Sequence, residues 1–94
     1  MPALLIRHHV ADFDQWKAAF EAEDAVRRSH GCLRSHLFRS IGTGGEMLIL
    51  LEWDNLDRAW MFAQSDDLRT TLPRTDGDDE PDLWLLTESS RMRI

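Results

Sequence analysis

The chain has one cysteine, no tyrosine and three prolines among its 94 residues. A single cysteine, Cys32, excludes an internal disulfide framework and any CxxC redox or metal motif. Its plain reading is a small apolar strand residue. Positive charge is also scarce: 11 Lys and Arg stand against 17 Asp and Glu, a net charge of −6. A protein that grips a phosphate backbone needs a basic footprint, so no nucleic-acid partner is expected. No apolar run is long enough to span a bilayer, and the opening MPALLIRHHV has no basic n-region and too short an apolar stretch for a leader. No membrane partner follows, and a cytoplasmic protein is the expectation. Ser-His-Asp order, a Walker loop, GxGxxG and HExxH are all absent. The glycines of Ile41-Gly-Thr-Gly-Gly45 are not followed by a helix, so they make a hairpin turn, not a phosphate cradle.

What is present suits one soluble domain over residues 1–94: 43% hydrophobic, 30% charged, with four tryptophans. Ala3 to Val10 reads as a strand whose more apolar face is Leu4, Ile6, His8 and Val10. Asp12 with Gln15 three residues on makes a capping box, with Ala11 and Trp16 at the staple positions. The helix it opens runs to about His30, and Gly31 is placed to end it. Its apolar stripe is Phe13, Trp16 and Phe20; further along the same face come Glu23, Asp24 and Arg27, so the stripe turns polar where it meets the edge of the core.

Cys32 to Ser40 is a second strand, with Leu33, Ser35 and Leu37 on the helix-facing side. Glu46 to Trp53 is a third strand, apolar on both faces and so buried on both. A turn centred near Thr43 sets His36 opposite Leu50 and Leu37 opposite Ile49. Asp54 or Asn55 caps a second helix over about Leu56 to Gln64, its buried face read as Leu56, Ala59, Trp60 and Ala63. A turn or short helix follows from Ser65 to Leu72 and is stopped by Pro73. Arg74 to Pro81 is an acidic loop, Asp82 to Ser90 the last strand, and Arg91 to Ile94 a tail. The order strand, helix, strand, strand, helix, strand predicts an α+β, ferredoxin-like βαββαβ fold: a four-stranded antiparallel sheet with two helices on one face.

The other face then carries Phe38, Leu48, Leu50, Trp84 and Leu86. A contiguous apolar patch of this kind marks an interface. Burying five such side chains contributes roughly 8–15 kcal/mol, comparable with the cost of association. A twofold homodimer through the sheet face is expected.

Val10-Ala-Asp-Phe-Asp-Gln-Trp-Lys17, Phe20, His30-Gly-Cys-Leu33 and Leu50-Leu-Glu-Trp-Asp54 with Ala59 together resemble the antibiotic biosynthesis monooxygenase-like proteins of the dimeric α+β barrel superfamily. The resemblance implies a homodimer whose two sheets form a barrel, with a pocket between sheet and helices in each subunit. It also implies a range of activities, from cofactor-free oxygenation of polyketide-like phenols to haem degradation. The chain departs from several members in having no His in the second helix, where it reads Ala59-Trp-Met-Phe-Ala-Gln64. It also has Arg7-His-His9 in the first strand, where no Asn–Trp pairing of haem degraders is evident.

His8 is the one strongly polar residue on the helix-facing side of the first strand. With Trp16, Trp53 and Trp60 expected around it, its imidazole suits a catalytic base or an anchor for a flat aromatic ligand. Ser35 joins those tryptophans as a candidate substrate contact. The alternatives are an ordinary core histidine held by one hydrogen bond and ordinary core indoles. His8 and His9 point to opposite faces and cannot share a metal. His9, His36 and Glu52 share the outer face without the spacing of a metal motif, so no metal and no cofactor are expected. Three functions stay open: an oxygenase or isomerase of a small aromatic substrate, a non-catalytic binding module, and a scaffold without a ligand.

Overall fold

The computed structural model describes residues 2–10, 12–41, 46–71 and 81–88. The Ala11 staple, the turn glycines 42–45, the stop at Pro73, the loop residues 74–80 and the tail 91–94 lie outside the described residues. The elements are β1 (Ala3–His9), α1 (Phe13–Ala22), α2 (Asp24–Ser29), β2 (Cys32–Arg39), β3 (Glu46–Trp53), α3 (Leu56–Gln64), α4 (Asp66–Thr71) and β4 (Asp82–Leu86). The four strands form one antiparallel sheet in the order β2-β3-β1-β4, the ferredoxin-like arrangement. His36 faces Leu50 and Leu37 faces Ile49, the register the turn implies. No helix among the described residues is long and apolar enough to cross a membrane.

The helix-facing side of the sheet is a continuous core. Leu4, Ile6, Met47, Ile49, Leu51 and Trp53 are buried there against Trp16, Phe20, Ala59 and Phe62. Local chemistry fixes where the helices start. Asp12 Oδ1 accepts the Gln15 backbone N–H at 3.1 Å, and Asn55, the alternative to Asp54, accepts the Arg58 N–H at 2.8 Å. Asp54 instead accepts from the Arg58 side chain at 2.7 Å.

Three local expectations are corrected. The first helix does not run unbroken to His30: it breaks at Glu23, whose backbone leaves helical geometry at φ −99° and ψ 12°. The Phe20 carbonyl at the break accepts both the Glu23 N–H at 3.2 Å and Arg27 Nη2 at 2.7 Å, so a side chain seven residues away helps seal it. Gly31 does terminate the second piece, at φ 103°.

Second, β2 carries a bulge between Cys32 and Arg34. Two residues there oppose one on β3, so Cys32 takes the core side and Leu33 is turned out to solvent. Third, α3 is rotated from the expected face. Ala59 and Phe62 are buried, whereas Leu56 and Trp60 are half-exposed. Phe62 sets this orientation, packing on Trp53 with ring centroids 5.0 Å apart and on the edge of His30 at 5.2 Å. His30 Nε2 in turn lies 2.6 Å from Asp67 of α4.

Candidate functional site

The break between α1 and α2 opens a cleft against strand β2. A cavity of about 250 Å³ lies there, lined by Phe20, Glu21, Asp24, Arg27, Ser35 and Leu37. Phe20 forms its aromatic wall and is itself stacked on Trp16, centroids 4.9 Å apart and planes 11° from parallel. The Arg27 guanidinium lies over the Phe20 ring at 3.6 Å. Only 2% of Arg27 is exposed, which is rare for this residue type.

Arg27 is underpaired for its burial. Nη2 donates to the Phe20 carbonyl, and Asp24 Oδ1 stands 3.7 Å away. Nε and Nη1 are buried with no hydrogen-bond acceptor. Burial pushes the guanidinium pKa down from its ordinary value, against the upward pull of Asp24. The group stays charged because that value starts so high. The Ser35 hydroxyl is buried in the same lining, beside the Cys32 thiol with which it shares a side-chain hydrogen bond. Buried polar atoms are nearly always satisfied, so the two nitrogens of Arg27 draw notice. Glu21 and Asp24 add carboxylates to the same lining. Cys32 sits on the core side close by, where burial raises its thiol pKa and favours the neutral form.

The residues singled out in the sequence are dispersed. His8 is buried on the helix-facing side, paired with Met47 in register. Ser35 aligns with Leu51 and Leu4, which lies four residues along β1 from His8 and two strands from β2. At about 3.3 Å per residue and about 4.8 Å per strand, His8 and Ser35 are about 16 Å apart. Trp53 is six residues from Met47 on β3, about 20 Å along the strand from the His8 row. Trp60 is 52% exposed on α3. Trp53 therefore stands away from His8, and Trp60 does not enter the core. Trp16 remains in the layer, one helical turn before Phe20, and its buried indole N–H has no acceptor, as is also true of Trp53.

The residues sequence reading passed over are Phe20 as a pocket wall, Arg27, Asp24 and Glu21. A signal for Arg27 was present. Fourteen residues after Phe13, it continues the stripe Phe13-Trp16-Phe20, so its helix face points at the core.

The outer sheet face carries His36 Nε2 against Glu52 Oε2 at 2.9 Å, with Arg34 Nε 3.5 Å from the same oxygen. His9 is paired with Glu46, four residues along β3 from the partner of His36, so it does not join them. Among the described residues no three His, Cys, Asp or Glu side chains converge as a metal site.

Comparison with known proteins places the chain. A family model described as antibiotic biosynthesis monooxygenase matches residues 5–74. No curated protein matches the sequence. Solved structures do. The cofactor-independent oxygenase SnoaB of Streptomyces nogalater, in its N63A form, superposes with a TM-score of 0.72 at 13% identity, covering 97% of this chain and 95% of that one. A provisionally assigned antibiotic biosynthesis monooxygenase of Deinococcus radiodurans gives 0.68 at 16% identity, covering 100% and 98%. The haem degrader MhuD of Mycobacterium tuberculosis, with two haems bound in its active site, gives 0.64 at 13%, covering 97% and 99%. At these identities the likeness is one of fold.

Proposed function

The chain belongs to the antibiotic biosynthesis monooxygenase family, and from that premise we propose that it takes a small aromatic molecule into the cleft between its broken helix and strand β2 and oxygenates it without a bound cofactor. The observation that carries this is the cavity of about 250 Å³ with a flat aromatic wall and buried polar groups in its lining. An engineered apolar cavity of about 150 Å³ suffices to hold benzene, so this one accommodates a substituted single ring or a fused pair. The substrate supplies the electrons. Oxidation of a ring methylene to a carbonyl takes up one oxygen atom of O₂ and releases the other as water with the two hydrogens lost from carbon.

Such a step begins with removal of a proton from the substrate. Three residues are candidate bases. His8 is buried on the helix-facing side of the sheet, and Glu21 and Asp24 line the cavity itself. Trp16, Ser35 and Trp53 belong to the same helix-facing layer as substrate contacts under this reading, while the half-exposed Trp60 is the weakest member. The working unit is a homodimer through the outer sheet face, which presents Phe38, Leu48, Trp84 and Leu86 to solvent.

The test is oxygen uptake by the purified protein across a panel of phenols, quinols and anthrone-like ketones. Turnover is expected for at least one monocyclic or bicyclic member, with loss in His8→Ala if histidine is the base. Loss in Asp24→Asn or Glu21→Gln with His8→Ala intact assigns the carboxylates. No uptake across the panel refutes the oxygenase. A non-catalytic binding module is the second reading, favoured by the separation of His8 from the cavity and by the sequence Ala59–Gln64 of α3, which contains no histidine. Panel members that raise the melting temperature without consuming oxygen support it.

A further inference from the structure

The helices are fastened to the core by apolar side chains, with one exception. Trp16 and Phe20 bury α1, Ala59 and Phe62 bury α3, and Leu68 buries α4. None of the core residues comes from α2. Ala25 is exposed, Val26 is half-buried, and the buried side chain of this six-residue helix is Arg27. Its guanidinium lies 3.6 Å from the centre of the Phe20 ring and donates Nη2 to the Phe20 carbonyl at 2.7 Å. Both contacts reach back across the break at Glu23 to the helix before it. The other end of α2 is tied by polar bonds. The Ser29 carbonyl accepts Arg58 Nη2 at 3.2 Å, the Gly31 carbonyl accepts the Asp54 N–H at 3.1 Å, and His30 meets Asp67.

An arginine is a weak fastener in a core. Closing α2 takes a charge out of water and leaves Nε and Nη1 without acceptors, which offsets much of what the hydrogen bond and the ring contact contribute. Opening returns the group to water. A helix of six residues does not hold its own hydrogen bonds once released, so release melts α2 between Glu23 and the tied end. Asp24 and Arg27 of α2 form one side of the cavity, and melting removes that side.

We propose that α2 is a lid on the cavity, latched by Arg27 on Phe20, that opens by local melting to admit and release a ligand while the sheet and α1 stay folded. This rests on the cavity being the ligand site and adds how that site is reached. Arginine holds loosely what a methionine would hold fast.

Native-state hydrogen exchange of the full chain, read residue by residue by NMR, tests the lid. The Val26 and Arg27 amides, both bonded to the Glu23 carbonyl, report α2; Ala19 and Phe20 report α1, and Ile49 reports the sheet. The α2 amides are expected to exchange about a hundredfold or more faster than those of α1. Their rates should hardly change in low urea, because a local opening exposes little surface. Arg27→Met is expected to slow α2 exchange about tenfold or more, and Arg27→Ala to speed it. If Arg27→Ala does not fold, Arg27→Met decides the latch. Exchange of α2 together with α1, at one urea-dependent rate, overturns the lid. Exchange of α2 in Arg27→Met as fast as in the parent overturns the latch.

A member of the phenol panel, 1-naphthol, ties the lid to the cavity. At saturation it should slow α2 exchange in the parent about tenfold or more. Naphthol that raises the melting temperature but leaves α2 exchange unchanged overturns α2 as the cover of the site. A panel in which nothing binds overturns the proposed function, and the exchange of the free chain and of Arg27→Met still decides the lid.

Discussion

Replacing Trp84 by serine should dissociate the protein. Trp84 stands on the outer sheet face at 42% exposure, beside Leu86 at 40% and, across β1 and β3, Leu48 at 39% and Phe38 at 53%. A fully covered tryptophan buries up to about 250 Å². Its exposed portion is therefore about 105 Å², worth about 2.6 kcal/mol at 25 cal/mol per Å². In a twofold interface every residue acts twice, so Trp84→Ser removes up to about 5 kcal/mol from the dimer. At about 1.4 kcal/mol per tenfold, the dissociation constant rises by up to about a few thousandfold.

Folding should be spared, because the change lies outside the core and Arg7, which reaches over the indole at 5.6 Å, keeps its bond to Asp82. Sedimentation equilibrium at micromolar concentration measures the effect. The parent chain should sediment at about 22 kDa, twice its 10.9 kDa, and the variant at the monomer mass. Met61→Ser, on the 67% exposed side of α3, is the control and should remain dimeric. A parent protein that is monomeric, or a Trp84→Ser variant as tightly associated as the parent, would refute the argument from the sheet face.

Two further outcomes test the fold around the site. Gly31→Ala should destabilise the chain by about 1–3 kcal/mol in urea denaturation: the backbone is at φ 103°, and an added Cβ would stand 2.7 Å from Asp54 Oδ1 and 2.8 Å from Arg58 Nε; an unchanged midpoint would show that the helix end is not held as described. Cys32 should resist thiol reagents at mildly alkaline pH until the protein unfolds, because burial favours its neutral form; stability should accordingly fall once the pH passes the ordinary thiol range, where the unfolded chain ionises and the folded one does not. Labelling of the native protein as fast as of the unfolded chain would contradict that burial.

Periodicity made most of the architecture legible. The alternation in β1, the caps at Asp12 and Asn55 and the glycine at position 31 each act through nearest neighbours, and such signals survive folding; the apolar run of β3 marked a strand, but its outer face is not buried as expected, with Leu48 39% exposed. What failed were faces decided by tertiary contact. On strand β2, the bulge at Leu33 costs one step of the period-2 pattern, and nothing in Cys32-Leu-Arg announces it. On α3, Trp60 and Phe62 are two residues apart and cannot both face inward on a helix. Size favoured Trp60; the space beside Trp53 and His30 fits Phe62.

The site was obscured by a different effect. A charged residue on an apolar stripe reads as the point where the stripe leaves the core, so Arg27 marked an edge. In the fold it marks the interior: the Phe20 carbonyl at the helix break, which already accepts the Glu23 N–H, takes Arg27 Nη2 as a second donor, and the guanidinium lies over the Phe20 ring. Burial of a charge is costly unless it is paired, and one hydrogen bond with a carboxylate at 3.7 Å pairs it incompletely. A core built for stability alone would favour a methionine in that position. Nε and Nη1, buried without an acceptor, add to that cost. Arg27→Met separates a role in the fold from a role in binding: a variant at least as stable as the parent whose melting temperature no longer rises with the phenol panel places the arginine there for binding, whereas a destabilised variant whose response to the panel is intact places it there for the fold.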